Sequence, residues 1–257
     1  MNVNSEIIET TVEKPAWGFW ATAGWGMLVM FTSFVIQVVI AVIFVVTRLV
    51  TEIEPALTEF DFSEWMEIID LGLLLSVSIA ASSIICVLLI FIMIKVRRNV
   101  TIAGYLGFRS ISTRAVLAAL AISVAYLILS VVVNAVLQRP AEPDIMVEAY
   151  ATSVWPALFW IAVVFLGPFF EEVLFRGFLF EGFSRSKLGV AGTIFITALV
   201  WAGFHLQYGL FEIASIFVLG LIFGVMRYKT GSIWTPMIMH VFNNLVAVLM
   251  LSLEIGV

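Results

Sequence analysis

Glu171 and Glu172 stand side by side in an apolar stretch, with Arg176 four residues further on. The only two histidines, His205 and His240, lie in two other apolar stretches, and Asn244 follows His240 by one helical turn. Ionisable side chains set deep in a membrane segment cost several kcal/mol each, about 2.5–3.5 on insertion scales, so such a group is by default a functional-site hypothesis.

On a helix Glu172 and Arg176 share a face and can pair, whereas Glu171 points about 100° away. One carboxylate is thereby neutralised and the other is left free to act as a general base. A Glu–Arg pair that only fixes helix packing is the plainer alternative, and the spare adjacent glutamate speaks against it. His205 closes the run Trp201-Ala202-Gly203-Phe204-His205, where a lone histidine would more often pack than react. His240 and Asn244, at i and i+4, project from one face of a helix, and two donors aimed at one point are what an oxyanion needs. Asn243 lies about 100° round from Asn244 and is the lesser partner. The set supplies a base, a second group to hold or protonate water, two oxyanion donors and a supporting ion pair, which is the inventory of a hydrolase. Glu171, His205 and His240 could instead form a zinc site with an open position for water. No H-E-x-x-H signature is present, so such a site would depend wholly on tertiary geometry. On the residues alone both readings stand.

The elements that carry these side chains are membrane helices. Hydrophobic residues make up 62% of the 257 and charged residues only 12%, with a mean hydropathy of +1.12, which excludes a soluble domain. Reading from charge to charge gives seven apolar runs, 15–47, 71–94, 115–138, 149–170, 188–211, 213–226 and 230–253, and hence an all-α bundle of about seven spanning helices around an active-site cavity within the membrane. The first run, at 33 residues, exceeds one crossing; Trp17, Trp20 and Trp25 place its start in the headgroup region, and it reads as a retained span rather than a cleaved signal. The sixth, at 14 residues, is short, which predicts either that Glu212 sits near an interface or that the turn at 207–211 dips into the membrane. Gly167-Pro168 predicts a break in the backbone ladder just before the glutamates.

Lys14, Lys95, Arg97, Arg98, Arg109, Arg114, Arg185, Lys187, Arg227 and Lys229 fall on one side of this scheme and only Arg48 and Arg139 on the other. The expected orientation is an N-terminus in the cytoplasm and a C-terminus outside. Acidic residues gather in the two outer loops, so the net charge of −5 carries no message about partners, and no nucleic acid is expected. Cys86 is the single cysteine, which rules out a disulfide framework. The basic stretch 95–114 reads as a topology signal touching anionic lipid. No loop is long enough to hold a core, so residues 1–257 are expected to be one membrane domain.

Glu-Glu-Val-Leu-Phe-Arg at 171–176, Trp-Ala-Gly-Phe-His at 201–205 and His-Val-Phe-Asn-Asn at 240–244 resemble the motifs E-E-x-x-x-R, F-x-x-x-H and H-x-x-x-N of the CPBP family of intramembrane proteases, also called the Abi or CAAX-protease type 2 family. The resemblance covers residues 154–250, which would form the catalytic core. Trp201 departs from the family's usual Phe, an exchange expected to alter packing more than chemistry. The resemblance implies an intramembrane endopeptidase in which Glu171 and His205 activate water, His240 and Asn244 stabilise the oxyanion, and Glu172 with Arg176 support them. Family members are commonly labelled metalloproteases; no cofactor is favoured here, with zinc on Glu171, His205 and His240 as the alternative. The implied partners are the lipid bilayer and a membrane-associated protein or peptide, and the length suggests a bacterial cell membrane and makes a prenylated substrate the lesser choice. A proton-coupled transporter would be expected to show paired repeats, and only one short run is found. A noncatalytic immunity or scaffold protein is the other rival.

Overall fold

The computed structural model describes residues 17–52, 70–97, 100–140 and 143–255. Lys14, Arg98 and most of the first acidic loop, on which part of the orientation argument rests, lie outside them. The described residues are all-helical: α1 Phe19–Glu52, α2 Leu71–Val96, the short α3 Ile102–Leu106, α4 Thr113–Val136, α5 Asp144–Ala151, α6 Pro156–Ser184, α7 Gly189–Gly203, α8 Leu210–Thr230 and α9 Trp234–Ile255. Six of them, α1, α2, α4, α6, α8 and α9, are long and apolar enough to cross a membrane, and α7 is a shorter apolar helix. The protein is therefore a polytopic helical membrane bundle.

Local signals set the ends. Asp70 accepts from the backbone N–H of Leu73 at 2.7 Å to start α2, Ser112 accepts from Ala115 to start α4, and Gly231, left-handed at φ 65°, ends α8 and turns the chain into α9. The outward faces of α1 and α4 expose Phe31, Phe34, Ile43, Leu129 and Val131, as a lipid-facing surface requires.

The charge-to-charge reading misplaced two elements. The sixth run is not the short one: α8 runs through Glu212 in its first turn and Arg227 in its last. Charges enter the helix there because each has a partner, Arg139 bonding Glu212 at 2.5 Å and Arg227 Nε donating to the Arg176 carbonyl at 2.8 Å. The fifth run supplies the short helix instead. Fifteen residues rise about 22 Å, less than the ~30 Å hydrocarbon core, and the turn at 204–209 follows directly.

Helix α6 is the axis of the bundle, touching α1, α2, α3, α7, α8 and α9. It is not a regular helix. Ile161–Leu166 and Val173–Leu179 are wound in the wider π register, one on each side of the two glutamates. Behind it, α7 and α8 approach closely because Gly220 and Gly224 have no side chain: a Cβ at Gly220 would lie 3.0 Å from Ala198 Cβ, and one at Gly224 would lie 2.9 Å from Ile194 Cγ2.

Candidate active site

The first π turn explains where Asn244 points. In that register the carbonyl of residue i pairs with the N–H of residue i+5, as Ala162 does with Gly167. Val163 would pair with residue 168, but Pro168 has no N–H to give. Asn244 Nδ2 fills the gap, donating to the Val163 carbonyl at 2.9 Å. The second N–H of that amide remains available, and Asn244 lines the cavity described below. In the second π turn Arg227 of α8 donates to the Arg176 carbonyl.

Glu172 and Arg176 form the expected pair, Nη1 to Oε1 at 2.9 Å, and both are fully buried. Arg176 Nη2 also donates to the Gly220 carbonyl at 3.2 Å, and its guanidinium lies over the Trp201 ring, 4.4 Å from the centroid. His240 joins this group, with Nδ1 3.0 Å from Glu172 Oε1. A carboxylate acceptor fixes Nδ1 as the protonated nitrogen, so Nε2 of the neutral ring presents a lone pair. Nε2 lies 3.8 Å from Glu171 Oε2.

Glu171 faces the other way. It lines a cavity of about 390 Å³ together with Trp201, His205 and Asn244, while apolar walls come from Met30, Phe159 and Phe175. One of its oxygens, Oε2, accepts from the indole Nε1 of Trp201 at 2.5 Å. The other takes no hydrogen bond from any described residue. His205 Nδ1 lies 2.9 Å from the Trp201 carbonyl, which must accept, so Nδ1 carries the proton and Nε2 is left as an acceptor.

The structure thus places Glu171, His205 and Asn244 on one cavity and Glu172 and Arg176 behind it. His240 departs from the expectation of a cavity-facing donor paired with Asn244. It is buried between the two carboxylates and is not among the cavity-lining residues, because the pull of Glu172 turns Nδ1 inward while Asn244 is turned toward Val163. Asn243 is buried, does not line the cavity, and has neither amide atom paired among the described residues. For the zinc alternative, no group of three His, Cys, Asp or Glu side chains among the described residues is placed to hold a metal ion. The Glu171 oxygen nearest His240 is the one that takes the indole N–H, which sets that donor set at odds with a shared ion.

Trp201 is the residue whose role the motif reading missed. It was legible only as an aromatic in place of Phe, yet it bonds Glu171, holds His205 through its carbonyl, and packs edge-on against His240, 5.3 Å between ring centroids. The available signal was its spacing, since Trp201 and His205 are one turn apart on α7.

Comparison with known proteins agrees with the motif resemblance. Residues 153–246 match the family model described as type II CAAX prenyl endopeptidase Rce1-like, which covers all three motifs. An uncharacterized 24.3 kDa protein of Escherichia coli is 34% identical over 108 residues, 40% of this chain and 49% of that protein. The chain thus spans about half the length of the curated relative it matches. No solved structure matches it.

Proposed function

We propose that the protein is an intramembrane endopeptidase that hydrolyses a peptide bond of a membrane-associated protein or peptide without a metal ion. The observation that carries this reading is Glu171: one oxygen held by an indole N–H and the other unbonded in a cavity shared with His205 and Asn244. The Rce1-like match over the same residues supports the protease class.

In the proposed mechanism a water held by His205 Nε2 gives a proton to the free oxygen of Glu171 and attacks the scissile carbonyl carbon. The developing oxyanion accepts from the free N–H of Asn244. Collapse breaks the C–N bond, and protonated Glu171 returns its proton to the leaving amine. His240, held through Nδ1 by Glu172 and with Nε2 3.8 Å from Glu171, reaches an oxyanion as a donor only when doubly protonated. We place the N-terminus in the cytoplasm on the strength of the Lys and Arg distribution.

The test is to incubate the purified chain in detergent micelles with a peptide library that includes membrane-derived and C-terminally prenylated segments, and to search for new termini by mass spectrometry. Cleavage by the wild type and none by Glu171→Gln is the expected result. A proton flux in liposomes that Glu171→Gln abolishes, without cleavage, would replace the reading by transport. Chelators should leave cleavage within about twofold; loss on chelation and recovery with zinc would refute the metal-free mechanism.

A further inference from the structure

We propose that Ser33 and Gln37 of α1 and Ser82 and Ser83 of α2 form a water-holding site in the cavity that supplies the water Glu171 consumes. The fate of that water rests on the hydrolase reading above; the water site itself does not.

All four side chains line the cavity that Glu171 lines. Ser33, Ser82 and Ser83 are buried, at 6%, 2% and 3% exposure, whereas Gln37 is exposed, as a group at the cavity mouth would be. Polar side chains inside membrane helices ordinarily serve as glue, bonding across to a neighbouring helix. Three of these four do not. Gln37 Nε2 donates to Ser33 Oγ on its own helix at 3.2 Å, Ser82 Oγ donates to the Ser78 carbonyl on its own helix at 2.6 Å, and Ser83 makes no hydrogen bond to any described residue. Ser33 is the exception: it meets Cys86 of α2, whose thiol also lies 3.6 Å from the Val29 carbonyl. That contact sets α1 against the turn of α2 that begins at Ser82.

The same helix α2 passes near the free oxygen of Glu171. A methyl group at Gly167 would lie 3.3 Å from Ile79 Cγ2 and 4.0 Å from Glu171 Oε1, and Ser83 is one turn from Ile79 on the same face of α2. The polar valences left over are the acceptor lone pairs of Ser82, both roles of Ser83 and the carbonyl of Gln37. A buried water needs two to four such partners and about 30 Å³, and a cavity of about 390 Å³ has room for several. The apolar walls, Met30, Leu75, Phe159 and Phe175, offer water nothing.

The experiment does not need a known substrate. In a Cys86→Ala background, cysteine is placed singly at Ser33, Ser83 and Ile84 of the full chain, and each variant is exposed to the charged thiol reagent 2-sulfonatoethyl methanethiosulfonate. Only a thiolate reacts, and a thiolate needs water beside it, so Ser33→Cys and Ser83→Cys should be modified about 100-fold faster than the lipid-facing Ile84→Cys. Equal and slow labelling at all three positions overturns the water site. Should a cysteine variant fail to fold, Ser83→Ala decides, assayed on the library peptide that the wild type cleaves best. A kcat about tenfold lower at unchanged KM supports water supply, whereas a raised KM at unchanged kcat assigns the wall to peptide binding and overturns it. A wild type that cleaves nothing sinks the hydrolase reading and leaves the labelling result to judge the water site by itself.

Discussion

The face of α6 that carries Glu172 and the face that carries Glu171 are built to opposite requirements. Glu172 is fully enclosed and its Oε1 meets both Arg176 and His240. Glu171, one residue earlier around the helix, keeps a quarter of its side chain exposed, to the cavity, and has a single donor on one oxygen. Charge that is enclosed and paired stabilises only while every partner is present, because each partner's removal strands the other in a low-dielectric interior. Charge held by one neutral donor at a cavity wall is dispensable to the fold and free to react. Two adjacent residues of one type thus divide scaffold from chemistry.

The largest expected effect breaks the chemical face alone. Glu171→Gln should lower turnover by about 10²–10⁴-fold, the range for loss of a general base, with thermal unfolding in detergent close to wild type. Substantial residual cleavage would remove Glu171 from the role of base.

Breaking the scaffold face should reverse the pattern. Glu172→Gln leaves Arg176 buried without its counter-charge and gives His240 a neutral amide oxygen in place of the carboxylate, for a loss of about 3–5 kcal/mol of stability. Glu172→Gln combined with Arg176→Met should recover much of that loss, since no charge is then stranded. Unfolding of the single and double variants checks this, and a single variant as stable as wild type would show the pair to be idle.

How far this division was readable beforehand depends on what each residue's partner was. The Glu172–Arg176 pair is an i, i+4 contact on one helix, so spacing revealed it. Composition likewise revealed the all-helical membrane fold. The helix limits around α7 and α8 were not readable from charges, because Glu212 and Arg227 are accommodated by Arg139 and the Arg176 carbonyl, which are distant in sequence. The turning of His240 away from the cavity depends on Glu172, 68 residues earlier, and the hold of Trp201 on Glu171 spans 30 residues. Neither spacing nor propensity reports on such contacts. The π turns are a further case: Pro168 announced a broken ladder, which in the α register would orphan the Val164 carbonyl, but not that the wider register would leave Val163 without its N–H instead.

A subtler change tests whether the chemical face is itself positioned. Trp201→Phe keeps an aromatic ring under Arg176 and removes the N–H together with one ring of the indole. A hydrogen bond to a charged group contributes about 1.5–3 kcal/mol, so kcat should fall about 10- to 100-fold with KM unchanged. The spectroscopic counterpart is the Trp201 indole N–H resonance, assigned by its disappearance in Trp201→Phe, which should shift upfield in Glu171→Leu. An indole resonance indifferent to Glu171 would dissolve the contact.

The smallest effect joins the two faces, because Asn244 is both anchored and reactive. Asn244→Ala should cost about 1–3 kcal/mol of stability by leaving the Val163 carbonyl unpaired in an apolar interior, and it also removes the proposed oxyanion donor. Pro168→Ala restores an N–H that can reach that carbonyl through the π register. In a double-mutant cycle the stability cost of Asn244→Ala should therefore shrink toward zero in the Pro168→Ala background. Turnover should not recover with it, since an alanine amide at 168 satisfies the helix but presents nothing to the cavity. If both stability and turnover return, Asn244 serves only the backbone; if neither changes, the orphan carbonyl is not what holds it in place.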